Sequence, residues 1–212
     1  MKSPLAEAQR AALIEAILPE VPFDGWSRAA LRAAARRCGI GADEAQALFP
    51  RGAVDLAAGF SRWSDRRMLD QFEASPLADA RISDRIARAV ATRFEIVEPW
   101  REAVRRAVGV MALPLNAALA ARLVYDTVDA IWYAAGDMAT DFSFYTKRAT
   151  LLGIYSASVL YWLEDRSEGF AETRAFVDRR LVGVARIGRL RRDLETVAER
   201  LPNPLRVLRP LG

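Results

Sequence analysis

The chain has 212 residues, of which 52% are hydrophobic, and its 31 Lys and Arg against 27 Asp and Glu give a formal net charge of +4. A single cysteine excludes an internal disulfide, and the absence of histidine excludes imidazole bases, Ser-His-Asp or Cys-His nucleophile systems and histidine-ligated zinc or diiron sites. This composition predicts a globular protein with one substantial core, in which any catalysis would depend on carboxylates, Lys, Tyr or Arg.

The N-terminal part of the sequence predicts a small helical head. A first helix is expected from Pro4 to Leu18, ended by prolines. Ser27 is placed to cap a second helix through Arg37. The sequence Cys38-Gly39-Ile40-Gly41 predicts a tight turn, and a short third helix follows from Ala42 to Phe49. Helix, glycine turn and short helix are the outline of a helix-turn-helix unit, here assigned to residues 1–52.

The short helix of this unit lacks the side chains that read DNA. It offers Asp43, Glu44 and Gln46, and no Lys or Arg lies between Arg37 and Arg51. Carboxylates facing a polyanion are repelled by it. We therefore expect a packing module without nucleic acid as a partner, and DNA binding is the less favoured alternative.

Long helices are predicted for the rest of the chain. Apolar stripes indicate helices from Ala53 to Glu73, Leu77 to Val97 and Trp100 to Leu113, and a further helix begins at Leu115 and breaks at Gly136. In the second of these helices, Asp and Arg residues lie between the apolar positions, and we expect them on the solvent-exposed face. No segment has the alternation and turns of a hairpin. The fold class is therefore all-α, with a three-helix head, a larger body at 53–201 and a loosely ordered tail at 202–212.

The sequence from Asp141 onward, DFSFYTKRATLLGIYSASVLYWL, is apolar on more than one helical face. One stripe contains Leu152, Tyr155, Val159 and Trp162, and Leu151 lies on another. Small residues between them, such as Gly153 and Ala157, allow close approach of a neighbouring helix or a ligand chain. An ordinary core helix and the wall of an apolar pocket both fit this pattern.

A longer motif connects this stretch to a known family. The sequence WYAAGDMATDFSFYTKRATLLGIYSASVLYWLEDRSE, followed by FVDRRL, resembles the ubiquinone-biosynthesis accessory family whose eukaryotic member is the ninth Coq protein. The head-and-body layout also resembles the TetR-type regulators. The matching residues are Trp132, Ala135, Gly136, Asp137, Thr140, Asp141, Phe142, Tyr145, Thr146, Arg148, Ala149, Tyr155, Asp165, Ser167, Phe176 and Arg180.

The resemblance implies a non-catalytic homodimer with a TetR-like fold that has lost DNA binding. It implies that an isoprenoid lipid or quinone intermediate is held in the body, and that the partner is a diiron hydroxylase acting on demethoxyubiquinone. The lipid-binding residues expected are Leu151, Leu152, Tyr155, Val159 and Trp162. A TetR-type transcriptional regulator with a lipid-like ligand is the alternative function.

The resemblance also implies a docking patch for the hydroxylase, formed by Asp129, Ile131, Phe144 and Tyr145. Phe144 departs from the family pattern, which usually has Trp at this position, so an aromatic anchor is kept and the indole donor is lost. The alternative is that these aromatic residues only pack the first turn of a buried helix.

Basic charge is concentrated near the C-terminus. Between Arg174 and Arg192 there are seven arginines and one aspartate, alongside apolar residues at helical spacing. A basic amphipathic helix can lie on an anionic membrane surface. We expect membrane contact through Arg186, Arg189, Arg191 and Arg192, although a helix packed on the body or a dimer seam fits the same pattern.

Neither a metal nor a cofactor is expected. Asp126 and Asp129 share a helix face, but Asp137 and Asp141 follow the break at Gly136 and are typical of loop and cap residues. The N-terminus lacks a secretory signal, and the longest apolar run is shorter than the ~20 residues of a spanning helix. Since the head also resembles the bacterial branch of the family, we expect a soluble protein in the bacterial cytoplasm, peripheral to the inner membrane.

Overall fold

The regular structure is helical throughout the part of the chain that is described. The computed structural model describes residues 4–74, 80–136 and 143–183, with side chains in the last range from Thr146 onward. The head contains four helices: α1 (Pro4–Ile17), α2 (Val21–Asp24), α3 (Arg28–Cys38) and α4 (Ala42–Leu48). The body contains α5 (Ala53–Ala74), α6 (Ile82–Val97), α7 (Arg101–Met111), α8 (Ala117–Ala134), α9 (Ser143–Glu164) and a helix α10 over 171–183.

The predicted helix-turn-helix geometry is confirmed. Ser27 Oγ accepts a hydrogen bond from the amide of Ala30 at 3.1 Å and so caps α3. Gly39 ends α3 with φ +66°, a conformation that favours glycine. The one-turn helix α2 was not predicted, because Pro22 was interpreted as a terminator, whereas proline is tolerated in the first turn of a helix.

Helix α5 joins the head to the body. It packs against α1 on one side and against α6 and α8 on the other. Gly59 allows the close approach to the head, because a Cβ there would lie 3.0 Å from Ile14 Cδ1 and 3.1 Å from Phe49 Cε1. One cluster of buried apolar residues therefore runs through both regions.

Short 3₁₀ turns connect the body helices at Glu98–Trp100, Pro114–Asn116 and Glu168–Phe170. The interruption predicted at Pro114 is the second of these turns. Within the described residues no single helix is long and apolar enough to cross a membrane, but the bent pair Ile82–Met111 and Pro114–Ala134, which meet at 94°, satisfies that test by length and composition.

Candidate functional site

Helix α9 presents one buried face to the body. The buried side chains recur at three- and four-residue spacing: Leu151, Ile154, Tyr155, Ser158 and Trp162. Leu152 and Val159 are half-buried and pack against the edge of the same core. Leu160, on the opposite side, is 59% exposed. The described part of the chain therefore covers one face of α9 fully and the other only in part.

Aromatic rings fill the core behind α9. The ring of Phe94 on α6 stacks on Tyr155 at 6.2 Å and on Trp162 at 5.3 Å, and the ring of Phe170 meets it edge-on at 6.2 Å. Such pairs contribute beyond the area they bury. Two of the expected lipid-binding residues, Tyr155 and Trp162, thus form a packed wall.

A buried polar cluster joins four body helices beside this wall. Arg93 Nε on α6 donates to Asp65 Oδ1 on α5 at 2.7 Å, and Thr127 Oγ1 on α8 lies 3.0 Å from each oxygen of the same carboxylate. The Arg93 guanidinium also lies 5.6 Å from the centre of the Tyr155 ring on α9. A charge buried at this depth has to be paired and hydrogen-bonded, as this one is.

Burial shifts the pKa values of these groups. It raises the pKa of the Tyr155 hydroxyl to about 12, and so keeps that group neutral. Burial also raises the pKa of Asp65, although Arg93 and Thr127 act in the opposite direction. Burial alone would lower the pKa of Arg93, but Tyr155 and Asp65 reverse the effect, so the pKa rises and the guanidinium stays charged.

An open groove lies between α9 and α10. Its volume is about 490 Å³, and small residues on α9, Gly153 and Ala157, form its floor. Phe176 of α10 forms an apolar side, and Arg179 and Arg180 supply its positive charge. A smaller groove of about 240 Å³ lies between α6 and α10. Helix α10 is therefore flanked by space on both sides.

The start of α10 is fixed by a buried carboxylate. Asp165 Oδ2 accepts from the amide of Thr173 at 2.8 Å and from its hydroxyl at 2.6 Å, and Oδ1 accepts from the amide and hydroxyl of Ser167. Burial would raise the pKa of Asp165, but these four hydrogen bonds lower it to about 2. The connection between α9 and α10 is thus fixed at Asp165.

The end of α8 carries the described part of the expected docking patch. Asp129 is half-exposed and forms an ion pair of 2.7 Å with Arg148 of α9. Ile131 is fully buried, so a partner would reach its side chain only after a rearrangement. Gly136 follows α8 with φ +76°, and a Cβ at this position would lie 2.6 Å from Arg85 Nη2. Glycine is therefore needed there for its conformation and for the close approach of the arginine.

The family relationship predicted from the motif is confirmed. Residues 117–188 match the family model described as COQ9. The chain is a homologue of the COQ9 proteins. The rat protein named "Ubiquinone biosynthesis protein COQ9, mitochondrial" is 30% identical over 196 residues, which cover 89% of this chain and 62% of the rat protein. The human protein of the same name is 29% identical, over 89% of this chain and 61% of its own length.

This COQ9 homologue also has the fold that was predicted. A solved TetR transcriptional regulator from Nitrosomonas europaea matches with a TM-score of 0.67 and 22% identity, over 84% of this chain and 98% of the regulator. At this identity the likeness shows the fold alone. The all-α, TetR-like class is confirmed, and the match does not favour the regulator alternative.

The expected bacterial cytoplasmic location is wrong. The rat and human COQ9 proteins are named as mitochondrial. That expectation depended partly on the absence of a secretory signal, and such an absence does not distinguish one compartment from another.

Several predicted residues of the COQ9 homologue lie outside the described part of the structure. They are the side chains of Phe144 and Tyr145, the loop residues Asp137 and Asp141, and the arginines Arg186, Arg189, Arg191 and Arg192. Among the residues that the structure describes, no three acidic or cysteine side chains are grouped to hold a metal ion. Asp126 instead lies 3.5 Å from Arg122 in an ion pair.

The buried polar cluster was not predicted from the sequence. Arg93 was expected on the solvent-exposed face of α6, but it follows Val90 by three positions and therefore lies on the buried stripe. Asp65 similarly precedes the buried Met68 by three positions. The sequence did contain a signal for this cluster, since Asp65 and Arg93 have opposite charges and each lies at helical spacing from buried apolar residues.

Proposed function

We propose that this chain is a non-catalytic accessory protein of ubiquinone biosynthesis, which holds an isoprenoid quinone intermediate and presents it to a diiron demethoxyubiquinone hydroxylase. The names of the curated relatives and the COQ9 match support the pathway. The chain spans about 62% of the rat protein, so the partners and the substrate are part of the proposal.

The α9–α10 groove is the observation that carries the lipid-binding part. Its volume of about 490 Å³ lies in the range of ligand sites, and its aromatic side chain and small-residue floor fit an isoprenoid chain. The open space above Gly153, where a Cβ would meet no heavy atom within 4 Å, leaves room for that chain. The lipid-binding residues expected from the sequence, Leu151, Leu152, Tyr155, Val159 and Trp162, are on the same helix but do not line this groove. Leu151, Tyr155 and Trp162 are buried in the core instead, so the proposed site uses a different face of α9 from the one expected.

Filling the groove tests the lipid proposal. Gly153→Leu places a side chain in open space. Ala11→Leu is the control, because it also adds a leucine to an exposed position of a helix, on α1 and away from the groove. Mass spectrometry of lipids that co-purify with each protein is the readout. We expect isoprenoid lipid with the wild type and with Ala11→Leu, and none with Gly153→Leu at an unchanged melting temperature. Equal lipid content in all three proteins would show that the groove is not the lipid-binding site.

The docking part of the proposal assigns the hydroxylase to the α8–α9 junction, with Asp129 on α8 and Phe144 and Tyr145 at the start of α9. Ile131, which was also expected in the patch, is fully buried and supports it from inside the body. Asp129 keeps half of its surface exposed and is oriented by Arg148. Tyr145→Ala is expected to weaken hydroxylase binding by about 1 to 4 kcal/mol, because truncated aromatic anchors commonly cost this much. Titration calorimetry with the purified hydroxylase measures it. An unchanged affinity for the hydroxylase would show that Tyr145 is not part of the interface.

The C-terminal arginines give the proposal a membrane contact. Arg186, Arg189, Arg191 and Arg192 would attract an anionic lipid surface, at about 1 kcal/mol for each arginine near it. Replacing all four with Gln is expected to weaken binding to anionic vesicles and to leave the hydroxylase affinity unchanged. The opposite pattern would show that the arginines serve the partner and not the membrane.

A further inference from the structure

The corner between α7 and α8 exposes an uncharged apolar surface. From Ala107 to Ala121 the chain contains no Asp, Glu, Lys or Arg. At the tip of the corner Leu115 is 99% exposed and Leu113 is 56% exposed. Single exposed leucines are common on proteins, but a contiguous uncharged patch marks an interaction site.

Polar groups at this tip bond within the turn. The side-chain amide of Asn116 donates to the carbonyl of Val110 at 2.8 Å, and its backbone amide donates to the carbonyl of Leu113 at 2.8 Å. Protein partners usually add about one hydrogen bond for every 100–200 Å² of interface. The only polar side chain of the turn, that of Asn116, is thus already bonded internally, which suits an apolar medium better than a protein surface.

The charges nearest the tip are positive on both arms. Arg122 on α8 lies six residues after the turn at Pro114–Asn116, which is about 9 Å of helix. Arg106 on α7 lies eight residues before the turn, and its guanidinium also donates to the carbonyl of Pro22 in the head at 2.9 Å. The acids lie one helical turn further away, where Glu102 pairs with Arg106 at 3.0 Å and Asp126 pairs with Arg122 at 3.5 Å. Along each arm the apolar tip is followed first by an arginine and then by an acid. The apolar tip is complementary to the acyl boundary of an anionic membrane, and the arginines are complementary to its phosphate layer.

We propose that the α7–α8 corner inserts into the surface of an anionic lipid bilayer. Leu113 and Leu115 reach the acyl boundary, and Arg122, whose side chain is 75% exposed, lies at the level of the phosphates. The bend of 94° makes the corner convex, so that both arms rise away from the bilayer and the remainder of the body stays outside it. This contact is distinct from the C-terminal arginines and does not depend on the quinone proposal.

Flotation with vesicles of phosphatidylcholine and phosphatidylglycerol tests the insertion. The double variant Leu113→Ser/Leu115→Ser is compared with Leu5→Ser, whose leucine on α1 is 69% exposed and far from the corner in sequence. Losing the burial of two leucines should lower vesicle affinity roughly tenfold or more. We expect no change for Leu5→Ser, and similar melting temperatures for all proteins because the replaced side chains are exposed.

A depth probe provides the second readout. In a Cys38→Ser background, Leu115→Cys and Leu5→Cys are each labelled with the environment-sensitive fluorophore NBD. Vesicles should increase and blue-shift the emission at position 115 only.

Three results would overturn the inference: no vesicle binding by the wild type, equal affinity of the wild type and the double serine variant, or an emission change that appears with protein concentration in the absence of vesicles. The last result would assign the corner to self-association. The vesicles contain neither quinone nor hydroxylase, so none of these results bears on the proposed lipid pocket or hydroxylase contact. Only a wild type without any vesicle binding would also remove the proposed contact of the C-terminal arginines, and failure of the quinone or hydroxylase proposal would leave this inference intact.

Discussion

The head and the body of this protein bury different kinds of side chain. In the head the core is apolar, with Leu13, Ile14, Ile17, Leu31 and Phe49 fully or almost fully buried. Among the described residues, every buried polar or charged side chain lies beyond position 60, in the body. Six of them form hydrogen bonds or ion pairs between elements or across a turn: Asp65, Arg93, Thr127, Arg148, Asp165 and Thr173.

The difference shows which part of the chain is specialised. The core of the small helix-turn-helix head is held together by apolar packing, and its polar contacts lie outside that core. The body places charged groups where they cost free energy unless every partner is present. We infer that the head acts as a support and that the specific geometry of the protein is fixed in the body.

The largest expected effect comes from breaking the buried ion pair of the body. Asp65→Leu leaves the Arg93 guanidinium buried without its carboxylate, which should lower the free energy of unfolding by about 3 to 5 kcal/mol. Urea unfolding measures the loss. The double variant Asp65→Leu/Arg93→Leu should recover much of it, because no unpaired charge remains. A loss below about 1 kcal/mol in the single variant would mean that the pair does not hold the body together.

Truncating an apolar side chain in the head shows whether its core is stabilised differently from that of the body. Leu13→Ala removes a fully buried side chain and should cost about 2 to 5 kcal/mol through lost burial and a cavity. Since the head core contains no titrating group, this cost should be the same at pH 4 and at pH 7. A cost that changes with pH would show that the head core is coupled to a charge.

A smaller and pH-dependent effect is expected at the base of α10. Asp165→Asn replaces the acceptor of Thr173 and Ser167 with a group that also donates, so about 1 to 3 kcal/mol should be lost. The pKa of Asp165, lowered to about 2 in the folded protein, means that its stabilisation is complete above the ordinary value of 3.8. It disappears as the pH falls through 2.

Unfolding curves of the wild type and Asp165→Asn between pH 2 and pH 6 check this sign. The difference in stability should shrink toward the acid end. A difference that is constant over this range would show that the charge of Asp165 is not what stabilises the turn.

The smallest effects come from two glycines with positive φ. Gly39→Ala in the head meets open space and should cost about 1 to 2 kcal/mol from backbone strain alone. Gly136→Ala in the body adds a contact of 2.6 Å with Arg85 Nη2 to a similar strain, so it should cost more. Thermal unfolding of the two variants compares them. Equal losses would mean that Arg85 moves away without consequence.

Periodicity and turn chemistry predicted most of the fold. The cap at Ser27, the glycine turn at Gly39 and the interruption at Pro114 each have a local cause, and each is found where it was expected. The motif around α9 predicted the family. Local signals of this kind do not depend on what the rest of the chain does.

Contacts between distant positions could not be predicted in the same way. Asp65 and Arg93 are 28 positions apart, and their pairing depends on how α5 and α6 are oriented in the body. The groove beside Gly153 similarly depends on where α10 lies after the turn at Asp165. Side-chain periodicity indicates which face of a helix is buried, but not which neighbour covers it.

An experiment in cells can decide whether the α9–α10 groove serves ubiquinone synthesis. The gene is deleted and replaced by the wild type, by Gly153→Leu or by the control Ala11→Leu, and the ratio of demethoxyubiquinone to ubiquinone is measured by mass spectrometry. We predict a low ratio with the wild type and the control, and accumulation of the demethoxy precursor with Gly153→Leu at normal protein levels. An unchanged ratio in the deleted cells, or a Gly153→Leu strain that matches the wild type, would contradict the claim.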